Sequence, residues 1–391
     1  MKNILFVLIF TFIYAEVPDF RLQDYQERYS VCKEKTDYSI AQCLLNGNLN
    51  YSGLRGDKYA YRFIDRGSIA AAAQNGDIYD YTVSLMPKTR RYIFLKEYID
   101  YLYSIKDQYS PPQFKGDDAQ DIIDIKKVLN LLQFARLEEN SDYTQEFEVE
   151  LLEYQKRHGL EVDGKIGPST KRELKKSIDE IIIKAKKNLT LERISSPKGA
   201  NYVLVNIPEF KMYYYDNGEQ VLSMKVIVGK KRTRTPILNE MMQYIVKNPR
   251  WNVPPTIYKN EYADKSESYL KRNGFAYNSE GKLYQKEGSG NALGVVKFLF
   301  PNRFNVYMHD TPTKSLFNRK VRTFSHGCIR LEKPIALLNE LGFDYDTKKN
   351  RWITLEKQIP VYVEYHTLWV DDDGIVQFRD DIYGYEQSLF R

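Results

Sequence analysis

The hydrophobic pattern of the chain changes at about residue 200, and this change constrains the fold more than any other feature of the sequence. Before it, apolar residues recur with helical spacing, for example at Ile122, Ile125 and Leu129. After it, short apolar runs such as residues 202–207 alternate with turn residues, which is typical of β-strands. We therefore predict an α+β protein with a helical N-terminal half and a β-rich unit over residues 200–391.

Turn signals divide the β-rich half into short strands. An Asp-Asn-Gly sequence at 216–218 lies between two apolar runs and predicts a tight hairpin. Further strand pairs are predicted around residues 301–303 and, at 361–370 and 375–379, around an aspartate-rich turn. Only one convincing helix, at 334–341, is found among them. Many short strands with one helix favour a sandwich-like β-domain.

The strand pattern breaks between Trp251 and Gly290, where a polar segment with helical character precedes a loop rich in Gly, Ser and Asn. We predict an insertion of about residues 252–290 between core strands. It lies close in sequence to the histidine and cysteine residues discussed below, so a substrate lid is the preferred interpretation. A merely decorative insertion is the alternative.

The first fifteen residues have the features of a cleavable secretory signal. Lys2 precedes an apolar run at residues 4–13, and Ala15 stands before Glu16. The apolar run is shorter than the roughly 20 residues needed to span a bilayer. We therefore expect an exported, soluble mature protein without a transmembrane segment, and an uncleaved interfacial anchor is the alternative.

Composition and cysteine usage agree with an exported enzyme or binding protein. The formal net charge is +6 and 42% of the residues are hydrophobic, which suits a folded protein with an anionic envelope partner. No concentrated basic stripe of the kind found in nucleic-acid-binding proteins is present. Cys32 and Cys43 could close a small disulfide loop or remain two buried thiols. Cys328 is then left over, as either a reactive or a buried thiol.

The helical half is predicted to have three parts. Residues 16–115 form a helical scaffold without an obvious chemical site, and in its helix at 91–103 the residues Ile93, Tyr98 and Leu102 share one face. Residues 116–177 form a compact unit of three helices. Residues 178–199 are expected to be a linker helix with a solvated, lysine-rich face.

The chemistry of the chain is concentrated in residues 307–334, which contain His309, His326 and Cys328. An imidazole can take the proton of a thiol and so create a thiolate nucleophile near neutral pH. His326 is only two positions from Cys328, so on spacing alone it rivals His309 as the base. A zinc site with these three ligands is a less favoured alternative, because no fourth ligand is evident nearby. A buried thiol beside incidental histidines is the purely structural alternative.

His309, fifteen further residues, and then Ser325-His326-Gly327-Cys328-Ile329-Arg330 resemble the signature of the L,D-transpeptidase family, with its YkuD-type catalytic domain. The similarity extends to the YcbB-like branch, which has a helical scaffold, a peptidoglycan-binding module and a capping insertion. The segments that carry this wider resemblance are Gly229 with Thr235-Pro236, residues 248–255, 291–294, Lys297-Phe298, 309–312, Leu316-Phe317 and Tyr383-Gly384.

Residues 116–177 resemble the peptidoglycan-binding type 1 domain, a small three-helix module. The residues that match are Leu151, Tyr154, Gln155, His158, Gly159, Leu160, Asp163, Gly164, Ile166, Gly167, Pro168 and Thr170. Most of these positions serve turns and packing, so the resemblance predicts the fold better than it predicts binding. We expect Gly159 to be a left-handed helix cap, and His158 to be a helix-end residue rather than a ligand.

The resemblance implies a role for each residue of the motif. Cys328 is the nucleophile, His309 is the base, and the main-chain carbonyl of Asp310 orients the imidazole. His326, Gly327 and the N–H of Cys328 shape the pocket and stabilise an oxyanion. Ser325 and Arg330 hold the loop or bind a substrate carboxylate, and Arg322 and Trp251 are further candidates for substrate contact.

The activity implied by the resemblance is a two-step acyl transfer in the periplasm, without a metal or nucleotide cofactor. Cys328 attacks the third residue of a stem peptide, releases the terminal D-Ala, and a neighbouring stem amine resolves the thioester as a 3→3 cross-link. If water is the acceptor, the enzyme is an L,D-carboxypeptidase; a protein amine is a third acceptor. A non-catalytic peptidoglycan-binding scaffold is the alternative of another class. Peptidoglycan is the expected partner, with other cell-wall enzymes as further candidates.

Overall fold

The computed structural model describes residues 19–57, 64–116, 118–346 and 349–390. The signal predicted at residues 1–15 lies outside these ranges. The α+β fold class is confirmed, because nine α-helices of the described chain precede residue 200 and a β-rich half follows it. In the described part of the chain, no helix combines the length and apolar character needed to cross a membrane.

The N-terminal scaffold consists of short helices around a common apolar core. Their bounds are α1 Phe20–Tyr29, α2 Asp37–Asn46, α3 Arg66–Gln74, α4 Ile78–Ser84 and α5 Arg90–Ser104, with a 3₁₀ turn at Tyr51–Gly53. Cys32 and Cys43 form a disulfide, one of the two predicted alternatives. The predicted face of α5 is wrong for Ile93, which is exposed, because the buried face follows Tyr92, Leu95 and Ile99.

The peptidoglycan-binding-like unit contains three helices, α6 Asp118–Gln133, α7 Gln145–Arg157 and α8 Pro168–Leu174. Gln155, which is fully buried, connects α7 to the turn that follows it. Its side-chain oxygen accepts from the N–H groups of Asp163 and Gly164, and its amide donates to the carbonyl of Lys165 at 2.9 Å. Gly159 has φ +59°, as predicted for a left-handed cap. The sequence motif therefore encodes a turn.

Helix α9, Ile178–Ile194, is much more deeply buried than the predicted linker helix. Leu189 belongs to the core of the helical half, whereas Leu191 and Ile194 belong to the core of the β-rich half. The predicted solvated lysine face is wrong at Lys184, because its ammonium donates to the Arg379 carbonyl and lies 3.2 Å from the Glu386 carboxylate. This helix therefore joins the two cores.

The β-rich half is built on one nine-stranded mixed sheet in the order β10-β3-β11-β9-β8-β4-β12-β1-β2. Strand β3 also pairs with β2, so the sheet curls until its ends meet. The strands of this sheet are β1 Tyr202–Asn206, β2 Lys211–Asp216, β3 Glu219–Gly229, β4 Leu238–Lys247, β8 Val296–Leu299, β9 Met308–His309, β10 Thr323–Ser325, β11 Ile329–Leu331 and β12 Arg351–Glu364. The apolar core fills the inside of the curl.

The predicted hairpin between β2 and β3 is confirmed. Asn217 and Gly218 have φ of +50° and +86°, the conformation required by a two-residue turn whose twist matches the strands. The predicted helix at 334–341 is α12, Pro334–Glu340. The chain ends with helix α13, Tyr385–Leu389.

The strand predicted at 361–370 is wrong as a single element. Strand β12 ends at Glu364, and Leu368–Val370 forms a separate strand, β13, paired with β14, Val376–Phe378. The main-chain N–H groups of His366 and Thr367 donate to the side-chain oxygens of Asn206 and Asn188 instead of to a neighbouring strand. Two buried amide side chains therefore end the strand. The β13–β14 hairpin then packs against the helical core.

The predicted insertion is a folded unit with its own apolar core, and we call residues 251–293 the cap. Its elements are β5 Trp251–Asn252, α10 Pro255–Ile257, a π-helical turn Tyr258–Tyr262, α11 Glu267–Arg272, β6 Phe275–Tyr277 and β7 Leu283–Gln285. The strands form a three-stranded sheet in the order β5-β7-β6. The buried core of the cap consists of Trp251, Val253, Leu270, Phe275, Leu283 and Leu293.

Candidate active site

Three neighbouring strands place the candidate site on the outer face of the curled sheet. Val296 and Phe298 of β8, Met308 of β9, and Ile329 and Leu331 of β11 are buried in the core inside the sheet. Side chains alternate between the two faces of a strand, so Lys297, His309 and Arg330 project outward. The register pairs Lys297 with His309 and His309 with Arg330. A histidine is therefore flanked by a cation on each side.

Cys328 and Tyr307 stand next to this row. The N–H of Ile329 donates to the Tyr307 carbonyl at 3.0 Å, which fixes the turn containing Cys328 beside Tyr307. Cys328 lies two residues before Arg330, and Tyr307 two residues before His309, so all four share the outer face. The rings of Tyr307 and His309 are 5.5 Å apart between centroids. Cys328 and His309 thus both neighbour Tyr307, although nineteen positions separate them in the sequence. The Cys328 Sγ itself lies 4.0 Å from the Asn305 carbonyl oxygen.

His309 is buried and oriented by its own chain. Its Nδ1 is hydrogen-bonded to the Asp310 carbonyl, which leaves Nε2 to accept a proton. Burial, followed by the Arg330 guanidinium, lowers the pKa of His309 to about 3, and the Asp310 carbonyl acts in the opposite direction. The imidazole is therefore neutral at neutral pH and can act as a base.

The carboxylate of Asp310 has a different role from its carbonyl. It accepts from the N–H groups of Thr311 at 2.7 Å and Val295 at 2.9 Å, and from the Lys314 ammonium at 2.6 Å. Any side chain at Gly294 would collide with it. The carboxylate therefore fixes the entrance to β8 and the exit of β9, while the carbonyl holds His309.

The Cys328 thiol is protonated at rest and requires a base. Burial raises its pKa, whereas the Tyr307 main-chain N–H and the Lys297 ammonium act in the opposite direction. Burial also raises the pKa of the Tyr307 phenol well above its ordinary value, so the phenol stays protonated. The surroundings thus favour the neutral thiol but contain groups that would stabilise a thiolate.

The turn before Cys328 is held by Ser325. Its hydroxyl donates to the Cys328 carbonyl at 2.6 Å and accepts from the Gly327 N–H at 3.0 Å. Gly327 has φ +125°, which disfavours any residue with a side chain. Because its N–H is already used, Gly327 does not supply the predicted oxyanion donor. The Cys328 N–H has no hydrogen-bond partner in the described chain and remains available.

The His326 side chain contacts the cap. Its Nε2 lies 2.8 Å from Oε1 of Glu261, which belongs to the π-helical turn of the cap. Short π-helical segments occur frequently at functional sites. Closeness in sequence to Cys328 therefore suggested His326 as a rival base, whereas the structure places it between the catalytic turn and the cap.

Of the three remaining predicted residues, Arg330 lies at the site, whereas Arg322 and Trp251 lie elsewhere. Arg330 lies on the outer face, and its Nε is buried without a hydrogen-bond partner in the described chain. The predicted substrate contact of Arg322 is corrected, because its guanidinium donates to main-chain carbonyls that include those of Val226 and Phe210. Trp251 is a second correction, because it is buried in the core of the cap beside Phe275.

Two residues at the site, Lys297 and Tyr307, were not predicted as functional. The Lys297 ammonium lies 3.9 Å from the centroid of the Tyr307 ring. The ring also packs against the core of the cap. Lys297 lies between Val296 and Phe298, and a charged residue within an apolar strand is a signal in the sequence that could have indicated a functional role.

Among the described residues, no group of three or more His, Cys, Asp or Glu side chains is placed to hold a metal ion.

Comparison with protein families gives two matches along the chain. Residues 200–363 match the family described as "L,D-transpeptidase catalytic domain", and residues 118–174 match "Putative peptidoglycan binding domain". The first match includes the whole outer face described above, together with the cap. The second coincides with helices α6, α7 and α8.

Individual relatives cover part of the chain. A Haemophilus influenzae protein named "Putative L,D-transpeptidase" is 31% identical over 227 residues, which are 49% of this chain and 46% of that protein. The chain thus matches less than half the length of this curated relative. Among solved structures, the catalytic domain of the E. faecium L,D-transpeptidase is 18% identical, with a TM-score of 0.25, covering 43% of this chain and all of that one. The L,D-transpeptidase (Yku) of Stackebrandtia nassauensis is 14% identical, with a TM-score of 0.28, covering 65% and 97%.

Proposed function

We propose that this protein, which contains an L,D-transpeptidase catalytic domain at residues 200–363, forms 3→3 cross-links between stem peptides of peptidoglycan. The observation that carries the proposal is the outer face beneath the cap. There Cys328 stands beside Tyr307 and His309, and His309 is neutral with Nδ1 held by a carbonyl. This is the arrangement of a nucleophile, a base and a group that orients the base.

In the first step the stem peptide transfers its acyl group to Cys328. Its S–H bond breaks as the proton passes to Nε2 of His309, and Sγ bonds to the carbonyl carbon of the third stem residue, expected to be meso-diaminopimelate. The Cys328 N–H donates to the resulting oxyanion. The intermediate collapses by breaking the C–N bond to the terminal D-Ala, whose amine takes the proton back from His309.

In the second step an amine from a neighbouring stem resolves the thioester. His309 takes a proton from the attacking amine as its nitrogen bonds to the thioester carbon. The C–S bond then breaks, and Cys328 recovers the proton. The same residues therefore serve both half-reactions, and no net proton is gained or lost by the enzyme.

The choice of acceptor depends on the cap. If water resolves the thioester, the enzyme is an L,D-carboxypeptidase, and if a protein amine does, it attaches protein to the stem. We favour a stem amine because the cap has its own core and packs on Tyr307 beside the nucleophile. A folded cover of this kind limits access of water and offers a surface for a second stem.

Export to the periplasm is part of the proposal. The Cys32–Cys43 disulfide supports it, because disulfides persist mainly in oxidising compartments.

The peptidoglycan-binding match at residues 118–174 supports peptidoglycan as the partner. The Arg379 guanidinium, on the β13–β14 side of the molecule, donates to the Arg157 carbonyl at the end of α7, so this unit is anchored to the β-rich half.

The decisive experiment uses disaccharide-tetrapeptides and mass spectrometry, with Cys328→Ala as the control. We expect cross-linked dimers that have lost one D-Ala, and none with the variant. Tripeptide monomers alone would establish the carboxypeptidase instead. No turnover at all, or equal turnover by Cys328→Ala, would contradict the mechanism and favour a binding scaffold.

Acylation by a carbapenem gives a second test. The strained lactam carbonyl should react with Cys328 and add the mass of one inhibitor to the intact protein. Because Cys32 and Cys43 are disulfide-bonded, Cys328 is the free thiol of the chain. Absence of an adduct, or an adduct that persists in Cys328→Ala, would contradict the assignment of the nucleophile.

A further inference from the structure

Two half-buried cations at the site form no ion pair within the described chain. Within the described chain, neither the Lys297 ammonium nor the Arg330 guanidinium forms an ion pair or a hydrogen bond, and the Lys297 ammonium rests on the Tyr307 ring at 3.9 Å. Other lysines of the same half do have carboxylate partners: Lys198 lies 2.8 Å from Glu364, and Lys247 lies 2.7 Å from Asp346.

Keeping Lys297 in this position is costly for the resting enzyme. A cation removed from water with only the face of an aromatic ring as its partner regains only part of its lost solvation. Burial accordingly lowers the pKa of Lys297, and a negative charge on Cys328 would raise it. A neutral isostere would avoid the cost, so the ammonium must be compensated in a state other than the resting one.

Geometry identifies the anion that could provide this compensation. Lys297 pairs with His309 across β8 and β9, and its ammonium lies over the ring of Tyr307, which stands beside Cys328. The carboxylate of Asp310 is occupied by Thr311, Val295 and Lys314. Cys328 is the acidic group whose charge interacts with the Lys297 ammonium. Its thiolate is therefore the protein anion near Lys297 that forms during the proposed reaction.

We propose that Lys297 is the counter-ion of the Cys328 thiolate. This inference rests on the proposed function in that Cys328 is taken to be the nucleophile. When the S–H proton moves to Nε2 of His309, the sulfur becomes an anion facing an ammonium that is already in place. Lys297 keeps all its own protons, and no further reactant is required. A preformed charge of this kind needs no reorganisation during the step.

The same ammonium prevents the proton from remaining on His309. Lys297 and Arg330 flank the imidazole in the register, so a positive charge on the ring is disfavoured from both sides. The proton taken from sulfur is therefore held only until an amine can accept it. Lys297 therefore has two effects: it stabilises the negative charge on the Cys328 sulfur, and it destabilises the positive charge on the His309 ring.

The test is the pH dependence of alkylation of Cys328 by iodoacetamide, measured by intact mass on the full chain. This readout requires no peptidoglycan and reports the thiolate fraction. Lys297→Met keeps the length of the side chain and removes the charge. We expect the apparent pKa of alkylation to rise by about one unit, and the rate at neutral pH to fall about tenfold. Lys297→Arg should restore most of the wild-type rate.

Lys211→Met is the matched control. Lys211 also lies over a tyrosine, at 4.8 Å from the Tyr213 ring, in the same sheet but on β2. It should leave the alkylation profile unchanged. A wild-type profile in Lys297→Met, or the same shift in Lys211→Met, would overturn the proposal, as would an arginine variant that behaves like the methionine variant.

The two proposals can fail independently. A shifted profile in Lys297→Met, together with a wild-type enzyme that releases only tripeptides, would support the counter-ion and refute cross-linking. Cross-linked dimers from the wild type, together with an unshifted profile, would refute the counter-ion alone. Thermal unfolding of each variant verifies that only folded proteins are compared. If Lys297→Met does not fold, the alkylation profile of Lys297→Arg is compared with that of the wild type instead.

Discussion

Two buried histidines, His158 in the peptidoglycan-binding-like unit and His309 in the catalytic half, are nearly identical by the usual criteria. Each directs Nδ1 to a main-chain carbonyl, that of Tyr154 at 2.8 Å for His158 and that of Asp310 for His309. Burial lowers the pKa of each to about 3. A shifted pKa is often used to find functional residues, and here it selects both.

Their neighbours distinguish them. The ring of His158 is stacked between Tyr154, at 3.8 Å, and Phe378, at 4.3 Å between centroids. It therefore fills a gap between α7 and strand β14, and its two stacking partners are aromatic rings of the core. The Nε2 of His309 has no hydrogen-bond partner within the described ranges, and it lies on the face that carries Cys328. The comparison teaches that burial is the largest cause of the pKa shift in both histidines, whereas a reactive neighbour decides whether the shift has a chemical use.

The largest expected effect is on catalysis at His309. His309→Asn can still donate to the Asp310 carbonyl but cannot take the thiol proton, so acylation should fall by about 10²–10⁴-fold. His158→Asn is the control and should acylate at the wild-type rate per folded molecule. Carbapenem adduct formation followed by mass spectrometry measures both. Equal losses in the two variants would show that the distinction between the histidines is wrong.

The next effect is on stability at His158. His158→Ala removes a ring stacked on two aromatic neighbours and should lower the free energy of unfolding by about 2–3 kcal/mol. His158→Phe keeps the stacking and should recover most of this loss. Urea denaturation measures the stability, and the acylation rate under native conditions should stay within about twofold of wild type. A wild-type stability for His158→Ala would mean that the stack contributes nothing.

Local signals in the sequence predicted the elements better than their arrangement. Asn217 and Gly218 specify their turn through their own backbone preferences, so the hairpin could be predicted without the rest of the fold. The end of β12 could not, because it depends on Asn206 and Asn188, which are remote in sequence from His366. The curl of the sheet likewise depends on β3 pairing with several strands at once.

The candidate site shows the same division. The spacing of His309, Ser325 and Cys328 within one short stretch brought the family resemblance, and the structure groups these residues. Arg322 was misassigned because a guanidinium bound to carbonyls and one free for substrate look alike in a sequence. Lys297 was overlooked because its pairing with His309 on β9, which in turn pairs with Arg330 on β11, becomes visible only with the strand register.

Acid should reveal what the two histidines have in common. In the unfolded chain each titrates near 6.5, but in the folded protein near 3, so only the unfolded state gains their protons as the pH falls between these values. Stability is therefore unaffected above pH 6.5 and decreases below it, by about 2 kcal/mol per histidine between pH 6.5 and 4.5.

Carboxylates also titrate in this pH range and change the stability. Variants of each histidine isolate its own contribution from theirs. The stability difference between wild type and His158→Phe should change by this amount over that range, and so should the difference between wild type and His309→Asn. Urea midpoints at several pH values provide the measurement. A pH-independent difference for either variant would mean that this histidine is not held neutral in the folded protein.

The smallest effect is expected at His326, the exposed histidine of the same stretch. Its pair with Glu261 joins the catalytic turn to the cap, but the two side chains are 37% and 42% exposed. Solvent screens such a pair, so it contributes no more than about 1 kcal/mol. Glu261→Gln should change the cross-linking rate by less than about fivefold at low salt. The difference should vanish at high salt because ions screen exposed charges. A loss comparable with that of His309→Asn would mean that the pair of His326 and Glu261 is itself required for the reaction.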